Sequence, residues 1–359
     1  MVVTGDAKIA DAVRVIDSNG LQLAVIVDAG GHLVGIVTDG DIRRAMLAGK
    51  DLSQPISSAM NRNPKTATAP IPKHAALARM EALDIAHLPI VDEEGRLVGL
   101  ELRRPASTPL EGAWAVVMAG GLGKRLAPLT DNVPKPLLPV GGRPMIELII
   151  RSLVLHGISR IFLSINYRGD MIRAFCGDGS NWGAEISYLE EDEPRGTAGA
   201  LALLPRPLPQ QVLVMNGDIL TNIDYFSLID FHRRHGGAAT MCIREQRVPI
   251  DYGVVHFDGP FVADIVEKPH YSCFINAGIY VLSPPAFRHI PATGEFGMPT
   301  LFKSLIAEGQ QPGAFPLREF WIDIGSHADY NRAQHQVGSL EFMTAGRRAR
   351  SPRLVSTTG

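Results

Sequence analysis

A glycine-rich loop follows a predicted strand near the middle of the chain and could bind phosphate. Closely spaced glycines let a backbone turn tightly and present amide donors to an anion. Arg125 and Lys135 add the positive charge that would stabilise a departing polyphosphate in a site poor in water. The predicted phosphate-binding positions are Ala119, Gly120, Gly121, Gly123 and Arg125.

The loop matches neither of the two best-known nucleotide-binding loops. A Walker A loop needs a glycine five residues before Gly123 and a serine or threonine after Lys124, and this sequence has neither. Leu126 occupies the third glycine position of a dinucleotide fingerprint. The sequence therefore argues against a P-loop kinase and against a dehydrogenase.

Two aspartates are candidate ligands for a metal ion. Asp218 follows the predicted strand VLVM, and Asp323 lies in the string WIDIGS. An aspartate at a strand end, beside a phosphate loop, is well placed to bind Mg²⁺. Mg²⁺ is therefore the predicted cofactor.

Short apolar strands alternate with helical segments from Ala113 onwards, which predicts an α/β domain with a mainly parallel sheet covered on both faces. Ligands in such sheets bind at the carboxyl ends of the strands, where the loop and Asp218 fall. Strands are predicted in 113–119, 160–166, 184–190 and 211–218, and helices in 144–157, 166–175 and 225–236.

An internal repeat occupies the first part of the chain. The string Ile26-Val27-Asp28 recurs 64 residues later as Ile90-Val91-Asp92, and each copy continues into a Gly-x-Leu-Val-Gly pattern. Each copy predicts a strand, a tight turn and a second strand. The segment 101–112 contains Pro, Ser and Gly and is typical of a linker.

The repeat resembles a tandem of CBS domains over residues 1–108. In that family, the threonine and aspartate of G-x-x-T-x-x-D hold the phosphate and ribose of an adenine nucleotide, which implies this role for Thr38 and Asp41. The second copy has Leu102 and Pro105 at these positions, so at most one nucleotide site is expected. Asp41 is alternatively a helix N-cap, and the pair is alternatively structural or dimerising.

The second part of the chain resembles the nucleoside-diphosphate-sugar pyrophosphorylases, with a Rossmann-like, GT-A-like fold over residues 113–340. The string Gly-Gly-x-Gly-x-Arg-Leu followed by Pro134-Lys135-Pro136 carries the resemblance. It implies that Arg125 grips a triphosphate and that Lys135 neutralises charge during transfer. It also implies that Asp218 and Asp323 bind the metal. The implied contacts to a sugar phosphate come from Gly253, Glu267, Lys268 and Asn276.

The same resemblance implies a nucleobase site in YLEEDEPRGTAGAL, where Gly196 and Thr197 would pack against the base. Members that use GTP tend to have glutamate at the position of Glu191, and those that use thymidine or uridine nucleotides tend to have glutamine. Guanine presents two adjacent donors, and an ionised carboxylate only accepts. GTP is therefore the favoured nucleotide.

Composition and charge limit the other function classes. A net charge of −2 argues against a broad nucleic-acid surface, and no apolar stretch approaches the roughly 18 residues of a membrane span. The sequence has no recognisable leader, and its three cysteines are far apart. We therefore expect a cytoplasmic protein with buried cysteines. We also expect a homo-oligomer, and a disordered basic segment at 341–359.

The implied activity is transfer of a nucleoside monophosphate to a sugar-1-phosphate, for cell-surface or flagellar glycan synthesis. The order of a CBS pair and a nucleotidyltransferase domain resembles bacterial enzymes that activate glucosamine-1-phosphate with GTP for legionaminic acid. The alternatives are mannose-1-phosphate, heptose-1-phosphate or another sugar-1-phosphate, and another nucleoside triphosphate. A non-catalytic, nucleotide-sensing regulatory subunit is a further alternative, although such subunits usually lose one of the four charged residues Arg125, Lys135, Asp218 and Asp323.

Overall fold

A computed structural model describes residues 2–19, 22–103, 110 and 112–337. The chain divides into two compact units, Met1–Thr108 and Pro109–Gly359. The segment 341–359, predicted to be disordered, and Pro105 lie outside the described residues.

The first unit contains two small three-stranded sheets, each with one parallel and one antiparallel strand pair. The elements of the first copy are β1 (Val2–Thr4), α1 (Ile9–Asn19), β2 (Leu23–Val27), β3 (Leu33–Thr38) and α2 (Asp39–Leu47). Those of the second copy are β4 (Ala67–Thr68), α3 (Lys73–Ala82), β5 (His87–Val91) and β6 (Leu97–Leu102).

The two hairpins confirm the internal repeat, because they use the same turn chemistry. Oδ1 of Asp28 accepts from the amide of His32, and Oδ1 of Asp92 accepts from the amide of Arg96. Such aspartate turns fix the reversal between two strands. The hairpins also exchange backbone hydrogen bonds, from Leu33 N to Gly95 O at 3.0 Å and from Leu97 N to Gly31 O at 2.9 Å.

The second copy has a smaller core than the first. Ten buried residues pack between α1, α2 and the sheet of the first copy, whereas the second has four: Ala67, Ala76, Met80 and Leu88. Among the described residues, the first copy therefore has the larger apolar core.

The second unit is a three-layer α/β structure. Its strands and helices alternate as predicted through the first half. In chain order they are β7 (Trp114–Met118), β8 (Pro139–Val140), β9 (Arg143–Pro144), α4 (Met145–Leu155), β10 (Arg160–Ile165), α5 (Gly169–Cys176), β11 (Glu185–Glu190), α6 (Gly196–Gly199), β12 (Val212–Asn216), β13 (Ile219–Thr221), α7 (Tyr225–His235), β14 (Ala239–Pro249), β15 (Val254–Asp258), β16 (Phe261–Val266), β17 (His270–Leu282), α8 (Met298–Ala307), β18 (Gly313–Pro316), β19 (Trp321–Asp323) and α9 (His327–Gln336).

The central sheet has seven strands in the order β11-β10-β7-β12-β17-β14-β18. Four of the six pairings are parallel, and both pairings of β17 are antiparallel. Separate apolar clusters cover the two faces, one of them including α4 and α7 and the other including α8. The predicted α/β class and mainly parallel sheet are confirmed.

Beyond the sheet, β14 and β17 continue as an antiparallel ribbon. In the chain segment that connects these two strands, β15 and β16 form a separate hairpin. The side chains of this hairpin are largely exposed, with Tyr252 at 78% and Phe257 at 76%. Cys273 on the ribbon is also exposed. The prediction of buried cysteines is therefore wrong for Cys273, although it holds for Cys176 and Cys242.

No helix in the part of the chain that the structure describes is long and apolar enough to cross a membrane.

Candidate active site

A cavity of about 420 Å³ opens where β7, β10, β11 and β12 end. We call it the strand-end cavity. Its position follows from the parallel strands, whose carboxyl ends meet at one edge of the sheet. It is lined by Met118, Ala119, Gly120, Gly121, Leu122, Lys135, Pro136, Asn166, Glu191, Pro194, Gly196, Thr197, Asn216, Gly217 and Asp218.

The glycine-rich loop leaves β7 directly into this cavity. The amide of Ala119 continues the sheet pairing by donating to Ser164 O at 2.8 Å. Gly123 has a φ of 64°, and a β-carbon there would lie 2.9 Å from Thr130 Cγ2. Both conditions exclude larger residues, because left-handed backbone strains an L side chain and no space is left for one. Gly120 and Gly121 line the cavity, and Gly123 lies at the turn behind it.

Lys135 and Asp218 form an ion pair at the cavity wall. Lys135 Nζ lies 2.5 Å from Asp218 Oδ2, and both side chains are mostly buried. A short 3-10 helix, Lys135–Leu137, presents the lysine, and the turn after β12 presents the aspartate. A lysine and a carboxylate that the sequence places 83 residues apart are thus brought into contact.

Asp323 lies beside this pair. The backbone of Ile219 pairs with that of Asp323, and Ile324 N donates to Asp218 O at 3.0 Å. Burial raises the pKa of Asp323, and the nearby carboxylate of Asp218 raises it further. Lys135 and Arg125 act in the opposite direction.

The two aspartates fit a divalent cation. Asp323 Oδ1 is buried, and no residue that the structure describes forms a hydrogen bond with it, so it is an acceptor without a donor. Among the described residues, no group of three or more His, Cys, Asp or Glu could hold a metal. Two carboxylates still suffice for Mg²⁺, which usually takes one or two carboxylates together with substrate phosphates and waters.

Arg125 stands outside the cavity lining, on the exposed side of the loop. Its guanidinium lies beside Gly325, where a β-carbon would be 3.5 Å from Nη1. Since Gly325 follows Asp323 by two residues, the loop and the strand end at β19 come together. The positive charge of Arg125 therefore acts on the carboxyl of Asp323, as that of Lys135 does.

Glu191 is held firmly at the opposite side of the cavity. Its Oε1 accepts from the Ser164 hydroxyl, and its Oε2 accepts from the Arg195 amide at 2.8 Å. Its own amide donates to Ile165 O at 3.1 Å. A carboxylate fixed in this way presents acceptors to the cavity in one orientation.

The loop after Glu191 is also held in place, by contacts with the residues around the start of α8. The Thr197 hydroxyl accepts from Met298 N at 2.9 Å at the start of α8, so this oxygen already has a structural role. Gly196 approaches Phe296, whose carbonyl oxygen would lie 2.9 Å from a β-carbon there. Both predicted nucleobase residues line the cavity.

The predicted sugar-phosphate residues are not brought to the cavity lining. Glu267 and Lys268 are exposed where the β15–β16 hairpin ends. Gly253 lies against Glu267, since a β-carbon at Gly253 would be 2.9 Å from Oε2. Asn276 Nδ2 donates to Tyr280 Oη at 2.8 Å, and its Oδ1 accepts from Gly278 N. These four residues lie on the β14–β17 ribbon or at the ends of the hairpin attached to it, and they do not line the cavity.

Two polar residues of the cavity lining were missed by sequence reasoning. Asn166 directly follows β10, and its Nδ2 donates to Glu191 O at 2.6 Å. Asn216 is the last residue of β12, and its buried Oδ1 has no hydrogen-bond partner among the described residues. The rule that ligands bind at strand ends would have found both, because each stands at the end of a correctly predicted strand.

In the first unit, Thr38 and Asp41 form a capping box at the start of α2. Thr38 is the N-cap, and its Oγ1 accepts from Asp41 N at 3.2 Å. Asp41 Oδ2 accepts from both the amide and the hydroxyl of Thr38. Asp41 is therefore the third helical residue, and its interpretation as the N-cap is wrong because Thr38 occupies that position.

The comparisons with known proteins agree with the geometry. The sequence model of the family described as "Nucleotidyl transferase" matches residues 114–339. The chain belongs to the nucleotidyl transferase family. The model of the CBS domain matches residues 1–48 and 56–100. The predicted resemblance to both families is confirmed.

The relatives and one solved structure share this nucleotidyl transferase region. The mannose-1-phosphate guanylyltransferase catalytic subunit beta of Drosophila pseudoobscura pseudoobscura is 32% identical, over 71% of this chain and 69% of that protein. The mannose-1-phosphate guanyltransferase of Aspergillus fumigatus is 35% identical, over 60% and 62%. The chain thus spans less than two thirds of the second relative. A Bacillus anthracis structure assigned as a glucose-1-phosphate thymidylyltransferase, in complex with a sucrose, is 26% identical, with a TM-score of 0.51 over 62% of this chain and 94% of that one.

Nucleotidyl transferases of this kind generally use a divalent metal and bind a nucleotide and a sugar phosphate.

Proposed function

We propose that this nucleotidyl transferase transfers GMP from GTP to a sugar-1-phosphate and releases pyrophosphate. The observation that carries the proposal is the strand-end cavity, where Glu191 follows β11 and the Lys135–Asp218 pair lies after β12, with β10 and β7 between these two strands in the sheet. A nucleoside triphosphate would match this arrangement, because its base and its phosphates lie at opposite ends of the molecule.

The chemistry is a single displacement at phosphorus. An oxygen of the sugar-1-phosphate forms a bond to the α-phosphorus, and the bond from that phosphorus to the bridging oxygen of pyrophosphate breaks. No side chain needs to form a covalent intermediate, so the protein contributes positioning and charge stabilisation. Lys135 and Arg125 stabilise the negative charge that collects on the departing pyrophosphate.

Asp218 and Asp323 would hold Mg²⁺, which would supply positive charge to the triphosphate. The buried acceptor at Asp323 favours a cation beside the pair, because a cation would offset the burial and the repulsion from Asp218 that raise the pKa of this carboxyl. Lys135 forms an ion pair with Asp218 and so offsets part of the negative charge of the two aspartates.

GTP is proposed because Glu191 offers two fixed acceptors. Guanine has adjacent donors at N1 and the exocyclic amino group, whereas thymine and uracil have one donor between two acceptors. The two relatives reported above are guanylyltransferases by name, which supports this choice.

The sugar remains a choice among three candidates. Mannose-1-phosphate is supported by the names of these relatives, glucosamine-1-phosphate by the order of the domains, and heptose-1-phosphate by the same family resemblance. We propose that Gly253, Glu267, Lys268 and Asn276 contact it from the ribbon.

The first unit is proposed to be regulatory, through an adenine nucleotide at Thr38 and Asp41 or through homo-oligomerisation. Among the described residues, Asp41 Oδ1 pairs with the exposed Arg44, and a ribose could compete with that arginine for it. Calorimetric titration with AMP, ADP and ATP tests the site, and Asp41→Asn is its matched variant. A flat titration of the unmodified protein would remove the nucleotide from this proposal.

The test of the activity is pyrophosphate release from four nucleoside triphosphates combined with several sugar-1-phosphates, with Mg²⁺ present. We expect release with GTP and one sugar-1-phosphate. Release with another nucleotide would overturn the base assignment alone. Silence across the matrix would favour the non-catalytic regulatory subunit. We further propose that the enzyme works in the cytoplasm, which fractionation of the source cells would check.

A further inference from the structure

A buried hydroxyl stands directly behind the carboxylate of Glu191. Ser164, on β10, is fully buried and does not itself line the strand-end cavity. Its Oγ donates to Glu191 Oε1. A serine inside a sheet is costly unless its hydroxyl has a hydrogen-bond partner, and here that partner is a residue of the cavity.

A second donor fixes the other carboxylate oxygen. Arg195 N donates to Glu191 Oε2 at 2.8 Å, from four residues further along the chain. Each oxygen thus accepts one protein hydrogen bond, and each keeps a second acceptor position. Two anchors at two atoms define the plane of the carboxylate, whereas one anchor would leave it free to rotate.

The backbone of Glu191 is held independently of these anchors. Its amide donates to Ile165 O at 3.1 Å, and its carbonyl accepts from Asn166 Nδ2 at 2.6 Å. Loss of the Ser164 hydroxyl would therefore release the carboxylate plane without releasing the loop.

We propose that Ser164 is a specificity-determining positioning residue, which holds Glu191 so that both of its oxygens face the two adjacent donors of guanine. The inference rests on the proposed use of GTP. Under this proposal, Glu191 contacts the base, and Ser164, which lies behind it, sets the angle of that contact.

The test uses the full-length protein and compares kcat/KM for GTP, ITP and UTP. ITP keeps the N1 donor and lacks the exocyclic amino group, so the ratio of GTP to ITP reports two-point contact. We expect Ser164→Ala to lower this ratio about tenfold, because a hydrogen bond to a charged group is lost. Ser164→Thr, which keeps the hydroxyl, should restore most of the ratio.

Two further variants separate positioning from a merely structural role. Ser152→Ala removes another buried hydroxyl, in α4, and should leave the ratio unchanged. Glu191→Gln should remove the preference for GTP more completely than Ser164→Ala. The thermal midpoint of each variant shows whether it folds.

The outcomes distinguish this inference from the proposed function. A preference for GTP that survives Ser164→Ala intact would overturn the role of Ser164 and leave the proposed function standing. An equal loss of kcat/KM for all three nucleotides would also overturn it, since that is the result of a structural defect. An unmodified enzyme without preference for GTP would overturn the base assignment, and the inference with it.

Discussion

Lys135 Nζ and Asp218 Oδ2 lie 2.5 Å apart at the wall of the strand-end cavity. The lysine side chain is mostly buried, and so it is already largely desolvated before a substrate arrives. Preorganised charge of this kind is worth more than charge in water, because little reorganisation is needed during the reaction. The contact also joins the segment after the glycine-rich loop to the turn after β12.

Removal of either loop cation should slow the chemical step. We expect Lys135→Ala and Arg125→Ala each to lower turnover by roughly a hundredfold or more, since each removes charge that stabilises departing pyrophosphate. The measurement is kcat for pyrophosphate release. Lys124→Ala, at an exposed neighbour in the same loop, is the control and should retain near-normal turnover. Near-normal turnover in both Lys135→Ala and Arg125→Ala would contradict their assignment.

The acidic pair should control the response to metal. Asp218→Asn and Asp323→Asn keep the side-chain shape and remove a charged ligand, so we expect the Mg²⁺ response to be lost or shifted to much higher concentration. Mg²⁺ titration of activity and calorimetry of Mn²⁺ binding provide two readouts. Asp170→Asn, at an exposed position of α5, is the matched control. An Mg²⁺ titration unchanged by Asp218→Asn would remove this residue from the site.

Sequence reasoning predicted the strands of the cavity because each is a short, largely apolar run that a turn or a helical segment follows. It also predicted Asp218 beside the phosphate loop, since parallel strands bring their carboxyl ends to one edge. It could not predict the contact between Lys135 and Asp218, which depends on the direction of a 3-10 turn. The hydrogen bond from Ser164 was hidden for a similar reason, because a lone serine in an apolar strand resembles any other buried hydroxyl.

The ribbon shows a different limit. The motifs around Glu267 predicted contact with a sugar phosphate, and the structure places them on an exposed hairpin, apart from the cavity lining. A sequence pattern predicts which residues recognise a ligand. It does not predict where a two-stranded ribbon lies, because such a ribbon has little core of its own and its position depends on what it packs against.

Glu267 should therefore affect the sugar phosphate and not the nucleotide. We expect Glu267→Ala to raise KM for the sugar-1-phosphate about tenfold, the effect of one lost hydrogen bond to a charged group, with KM for GTP nearly unchanged. Steady-state kinetics with each substrate varied in turn provides the comparison. Asp258→Asn, at an exposed position of the same hairpin, is the control. An equal change in both KM values would argue against a sugar-specific role.

The buried side chain of His232 predicts a loss of stability in acid. Its Nδ1 lies 2.9 Å from Thr240 Oγ1 and its Nε2 lies 2.8 Å from Ser283 Oγ, and burial lowers its pKa to about 4. A histidine in the unfolded chain titrates near 6.5. Because the pKa is lower in the folded state, the full stability is present above pH 6.5. It declines as the pH falls towards 4, by roughly 3 kcal/mol in total.

His232→Gln should flatten this decline, since glutamine can hydrogen-bond without taking up a proton. The measurement is the free energy of unfolding by urea at several pH values between 7 and 4, compared as a slope, because the variant is also expected to be less stable at pH 7. His256→Gln, at an exposed position of the hairpin, should keep the slope of the unmodified protein. If the slopes of His232→Gln and the unmodified protein coincide, other groups must cause the acid sensitivity.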